Sequence, residues 1–166
     1  MILGAMRVFT RAPGDVANAR GFGVGFSIWG PLASTQLASQ PPLWVSAIGV
    51  VGLALSLALF HWASLSIRGR TFSLAGHADV PQFVHTAGPY AYIRNPFYAS
   101  YLLAGISTIV MWPSVWGVVA VLLSVAYYQW LARYEEGKFV GSPVADEYAR
   151  YKARTGRLLP RITRHD

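Results

Sequence analysis

The chain has 166 residues, of which 54% are hydrophobic and 13% charged, and its mean hydropathy is +0.37. These proportions exclude an ordinary water-soluble domain and point to a small integral membrane protein. The 14 Lys and Arg against 7 Asp and Glu would suit nucleic acid only if gathered on one surface, and the lack of cysteine excludes a disulfide framework, a thiolate nucleophile and a thiolate metal ligand.

In chain order, residues 1–20 carry Arg7, Arg11, Asp15 and Arg20 and are poor in apolar residues, so a cytoplasmic N-terminus is expected in place of a cleaved signal peptide. Residues 21–38 are apolar enough to insert; Gly30-Pro31 interrupts them and Pro41-Pro42 closes them. Residues 43–67 contain no Asp, Glu, Lys or Arg. At about 1.5 Å per residue that run covers a hydrocarbon core of about 30 Å. These two segments, within 21–67, are the N-terminal spans.

Residues 68–96 read as a connector, with 71–85 partly helical at the interface. Residues 97–134 are apolar apart from Arg133 and hold Trp112-Pro113-Ser114 near their middle, which favours two helices folded back on each other over one rod. In the tail, 135–166, Ser142-Pro143 followed by Asp146 and Glu147 marks a helix start, and Gly156 a stop. That short helix would carry Tyr148, Tyr151 and Lys152. The expected fold is a single all-α integral membrane domain with about four transmembrane helices, a C-terminal helical hairpin, a cytoplasmic connector and a short C-terminal helix.

The basic residues fall in three segments: the N-terminus, the connector with Arg68, Arg70 and Arg94, and the stretch from Arg133 to Arg164. The intervening connections, 39–42 and 112–114, carry no charge. This alternation predicts both termini in the cytoplasm of a multi-pass protein, in the bacterial inner membrane or an equivalent bilayer. Trp44, Trp62, Trp112, Trp116 and Trp130 lie near span ends, as interfacial anchors do. The basic surplus is thus read as a topology signal and anionic-lipid contact, not as a nucleic-acid site.

A hairpin over 97–134 returns to the face it left, so Arg94 and Asn95 at its entrance should meet Glu135 and Glu136 at its exit. Polar groups gathered beside apolar helices suit a polar cofactor meeting a lipid-soluble substrate. An Arg–Glu structural pair closing the hairpin suits the same charges. Four scattered histidines, with no His-x-x-x-His or Glu-x-x-His spacing, give no metal-site signal.

The string "GPYAYIRNPFY" (88–98) resembles the GPYxxxRHPxY motif of the isoprenylcysteine carboxyl methyltransferase and phospholipid methyltransferase family. "YEEGKF" and "DEYARYKARTGRLLP" resemble its acidic pair and its tail, so the likeness runs from Gln82 to Arg161. It implies an S-adenosylmethionine-dependent methyltransferase embedded in the bilayer, with a lipophilic acceptor arriving from the lipid: a prenylcysteine carboxylate, a phospholipid amine, or a small lipophilic thiol or acid. It also implies cofactor contacts at Gln82, Phe83, Val84, His85, Gly88, Tyr90, Asn95, Pro96, Phe97, Tyr98 and Glu135, with Arg94, Glu135 and Glu136 as the catalytic set.

Each type has a physical part to play. Gly88-Pro89 would fix a turn, and Pro96 would stop the preceding segment as helix and leave backbone groups free for a ligand. Tyr90 or Tyr98 could stack on adenine, and Glu135 could accept hydrogen bonds from ribose or ammonium. Arg94 could pair with the cofactor's carboxylate or with Glu136. His85 is a hydrogen-bond contact, an interfacial structural residue or a proton carrier.

Two departures stand out. Asn95 replaces the family histidine, which removes a titratable group. Leu131 stands where the family has a substrate-touching arginine; Arg133, displaced, and Tyr101 are the substrate-side candidates. Two other functions fit the same features: a sterol-reductase-like membrane oxidoreductase using NADPH, and a non-catalytic membrane adaptor or lipid binder.

Overall fold

The computed structural model describes residues 41–67 and 80–161, so the expected span over 21–38 and most of the 71–85 connector lie outside the described residues. The uncharged run forms α1 (Leu43–Ser66). Past residues 80–87, which form no regular element, a single 3₁₀ turn (Gly88–Ala91) leads to α2 (Pro96–Met111), α3 (Val115–Gly137) and α4 (Ala145–Arg154). Among the described residues every regular element is helical, and the one other ladder contact is an isolated parallel bridge between Ile93 and Gly156. Residues 80–85, expected within the partly helical stretch 71–85, carry no regular secondary structure.

The expected hairpin is present. Pro96 opens α2 at a position where its missing N–H costs nothing. The Trp112 amide closes α2 on the Thr108 carbonyl at 2.9 Å, and Val118 opens α3 on the Ser114 carbonyl at 2.9 Å, with Pro113 between them.

Antiparallel packing of α1 on α2 follows from small residues. Gly49, Ser56 and Ala63 recur every seventh position and are buried on one face of α1. A Cβ on Gly49 would lie 1.9 Å from Met111 Cγ, and one on Gly52 2.2 Å from Ser107 Oγ. The Ser56 hydroxyl donates to the Ser100 carbonyl at 2.7 Å, and Phe60 meets Phe97 edge-on at 5.2 Å. In lipid, where no hydrophobic gain drives helices together, such close backbone approach and interhelical hydrogen bonds hold the pair.

The outer faces are apolar. Helices α1 and α3 are each long and apolar enough to cross a membrane, and within the described residues only 11% and 17% of their apolar windows are buried. Exposed Trp44, Ile48, Val51 and Leu55 on α1, and Trp116, Leu122, Leu123 and Trp130 on α3, make a surface suited to hydrocarbon. With 16 residues, α2 extends about 24 Å, less than a full crossing, and one side of it is shielded by α1.

Two apolar clusters seat the polar segments. Ala63, Ile67 and Tyr90, with Phe97 against them, fix the 3₁₀ turn on the end of α1. Gly88 is required there: its φ is +60° and a Cβ would sit 2.7 Å from Ser66 Cβ. Val84, Tyr148 and Tyr151, with Phe139 and Val144, fix α4 against the segment around Val84, and Phe139 stacks on Tyr148 at 3.8 Å.

Helix α4 carries Asp146 and Glu147 in its first turn and Lys152 and Arg154 in its last, complementing its dipole as expected. It begins later than the Ser142-Pro143 signal suggests. The Ser142 hydroxyl donates to the Phe139 carbonyl at 2.9 Å, so it closes the turn leaving α3 and does not cap the next helix.

Candidate active site at the hairpin mouth

Neighbouring residues on a helix point about 100° apart, and at the end of α3 this sends two adjacent carboxylates to different tasks. Glu135 faces α2. Its Oε1 accepts a hydrogen bond from the Tyr98 hydroxyl at 2.8 Å, and its other oxygen has no hydrogen-bond partner among the described residues. Tyr98 stacks on Tyr128 (5.0 Å, 19°), Tyr128 lies 5.8 Å from Tyr101, and Tyr101 lies 6.0 Å from Phe60. The result is an aromatic box with one carboxylate at its polar end.

Glu136 faces the tail and is buried. Arg94 Nε donates to its Oε1 at 3.0 Å, and Arg157 takes it bidentately, Nε to Oε1 at 2.9 Å and Nη2 to Oε2 at 3.1 Å. Lys152 Nζ is 3.4 Å from Oε2. The Arg94 guanidinium also donates to the carbonyls of Lys152 and Thr155, and Arg157 Nη1 to Gln129 Oε1 at 3.1 Å. Charge-assisted bonds of this kind are the strong ones, and here they tie α2's entrance, α3's exit and the tail to one point.

Backbone joins the same segments. Arg94 N–H donates to the Gly156 carbonyl at 2.8 Å, Gly156 N–H to the Tyr92 carbonyl at 3.1 Å, and Asn95 N–H to the Arg157 carbonyl at 3.1 Å. Asn95 adds its side-chain amide to that carbonyl at 3.2 Å, and the Tyr151 hydroxyl donates to the Tyr90 carbonyl at 2.7 Å. A Cβ on Gly156 would lie 1.7 Å from the Leu159 carbonyl oxygen, so the crossing excludes any side chain. Burial pushes the Tyr151 phenol up to about 12 and raises those of Tyr90 and Tyr148, which keeps all three protonated near neutrality. The Glu136 hydrogen bonds raise Arg157 further above its already high value.

Arg94, Asn95, Tyr98, Glu135 and Glu136 are thus brought together at the mouth of the hairpin. Of Arg94's two expected partners, Glu136 holds it. The backbone amides before Pro96 that were expected to stay free for a ligand are instead taken by the tail, because residues 156–157 run alongside them. Tyr90 and Pro96 are packed inside, and Val84 is buried under α4. Tyr98 has one ring face occupied by Tyr128.

Gln82 and Phe83 are exposed, and Gly88 and Phe97 are half-buried. His85 meets Tyr90 edge-on at 4.8 Å. Tyr101 lines the aromatic box, whereas Arg133 is exposed on α3 and belongs to none of the described ion pairs.

Sequence reasoning missed Tyr128, Phe60 and Gln129. Tyr128 carries a signal in retrospect: it sits seven residues, two turns, before Glu135 and so shares its face. Arg157 was legible only as part of a motif, with no partner assigned.

A family model described as phospholipid methyltransferase matches residues 44–142, which takes in α1, the loop motif, the hairpin and both carboxylates, and stops short of α4. No curated protein and no solved structure matches the chain significantly.

Proposed function

The chain belongs to the phospholipid methyltransferase family, and from that premise we propose that it is a membrane-embedded enzyme transferring a methyl group from S-adenosylmethionine to a lipophilic acceptor at the bilayer interface. The observation that carries this reading is the aromatic box closed by the Tyr98–Glu135 pair, lying beside lipid-facing helices.

The residues present fit the cofactor. Glu135 keeps one carboxylate oxygen available for ammonium or hydroxyl donors, and the faces of Tyr98, Tyr101 and Tyr128 suit a cationic sulfonium. Gln82, Phe83, Phe97, Tyr98 and Glu135 would hold it. S-Adenosylmethionine, when bound, supplies a sulfonium methyl group for in-line displacement. The protein's own part is to align donor and acceptor and to exclude water, which the box and the lipid-facing helices favour. A carboxylate or thiolate acceptor needs no base; an amine must lose a proton, and Glu135 is the group at the box to accept it. Arg94 and Glu136, committed to each other, hold the site's frame in this reading and do not touch the reacting atoms.

Calorimetric titration of the purified protein with S-adenosylhomocysteine tests the proposal, followed by a labelled-methyl transfer screen over membrane extracts. Binding and a labelled lipid product are expected. A folded sample that ignores the adenosyl ligand and binds NADPH would replace this reading with an oxidoreductase.

A further inference from the structure

The charges around Glu136 do not balance. Three positive groups, Arg94, Lys152 and Arg157, share one carboxylate, and among the described residues none of the three has a second acidic partner. Arg94 and Glu136 are both almost fully buried, with side chains 8% and 7% exposed. They satisfy one another, since the rest of the Arg94 guanidinium goes to the Lys152 and Thr155 carbonyls. That leaves Arg157, three-quarters buried, and Lys152, half exposed, holding positive charge that a single, already neutralised carboxylate does not offset. Positive groups drawn out of water and crowded together repel unless an anion joins them.

We propose that Lys152 and Arg157 form an oxyanion subsite completed by a carboxylate or phosphate group of a bound ligand. The proposal rests on the methyl-transfer reading and deepens it. The methionine end of S-adenosylmethionine brings a carboxylate, and a phospholipid acceptor brings a phosphate; the two share the chemistry a guanidinium fork and an ammonium point charge recognise. Glu135, next to the Glu136 that Arg157 grips, offers the opposite charge, so the two positions together match a zwitterionic ligand.

The test uses the full chain in detergent micelles and the variant K152M, which keeps the aliphatic stem and, at a half-exposed position, keeps the fold. Two ligand pairs are titrated by calorimetry. The first is S-adenosylhomocysteine against its decarboxylated analogue, which retains the amine. The second is dihexanoylphosphatidylethanolamine against dihexanoylglycerol.

A wild-type preference of about tenfold or more for the carboxylate-bearing nucleoside, lost in K152M and restored in K152R, assigns the subsite to the donor. The same pattern in the lipid pair assigns it to the acceptor headgroup. In either case the preference shrinks as ionic strength rises. Equal preferences in wild type and K152M, or none in the wild type, overturn the subsite. If both nucleosides bind equally, the methyl-donor reading survives and the donor form of the subsite falls. If neither nucleoside binds while the phosphate preference persists, the subsite stands and the donor reading falls.

Discussion

Glu135 and Glu136 show how little adjacency in sequence says about role. One accepts a single tyrosine hydroxyl among the described residues, and its second oxygen accepts no hydrogen bond there; the other is gripped by two arginines and a lysine. Their substitutions should therefore separate cleanly. Glu135→Gln keeps shape and hydrogen bonding but removes the charge, so affinity for S-adenosylhomocysteine falls about tenfold or more while the thermal midpoint stays within a few degrees. Collapse of stability without any ligand effect would make Glu135 a clamp. Glu136→Gln leaves two guanidiniums facing a neutral amide, and should cost about 3 kcal/mol of stability, read as a fall in the midpoint of denaturant unfolding in micelles. Tyr98→Phe removes the one side-chain donor to Glu135 among the described residues and packs as before; a loss of about 1 kcal/mol in ligand binding is expected, with unfolding little changed.

Between elements, two close approaches differ in what they tolerate. At Gly49 and Gly52 the nearest obstacles are Met111 and Ser107 side-chain atoms, with the Ser107 carbonyl oxygen behind them at 3.0 Å from a Cβ on Gly49; at Gly156 all of the nearest obstacles are backbone atoms of Leu159 and Arg161. Gly156→Ala should thus be the most damaging of the three glycine-to-alanine changes, destabilising by about 2 kcal/mol or more and weakening ligand binding through the displaced Arg157. Denaturant unfolding of the three variants side by side checks the order. The hairpin was legible because a proline beside tryptophan breaks an uncharged run, and the meeting of Arg94 with Glu136 followed from folding that run back. The Tyr98–Tyr128 stack was not, since aromatic residues in an apolar helix read equally well as lipid-facing anchors. Nor was the pairing of Arg157, whose partner lies 21 positions away across a turn and the whole of α4. Ser142 misled for a local reason: the same hydroxyl can cap a following helix or close a preceding turn, and here a carbonyl three residues back claims it.

At the scale of the whole molecule, the described part has an apolar exterior on two long helices and gathers its buried charges at one end of the hairpin. We propose that this end faces the cytoplasm. The chain has no cysteine, so single cysteines can be introduced without background. Ser114→Cys and Lys138→Cys, at opposite ends of α3, should react with a membrane-impermeant maleimide from opposite sides of sealed inverted vesicles, Lys138→Cys from the cytoplasmic side. Labelling of both from one side would remove the crossing of α3.

The bridge between Ile93 and Gly156 has a consequence for biosynthesis. The strand of chain it uses first leaves the ribosome before α2 and α3, and the strand it needs second leaves after both. The partners cannot meet until the intervening helices have been made and have folded back on each other, so the Arg94–Glu136–Arg157 cluster is completed late in synthesis. A chain halted before residue 156 would carry Arg94 and Glu136 without the tail that locks them together.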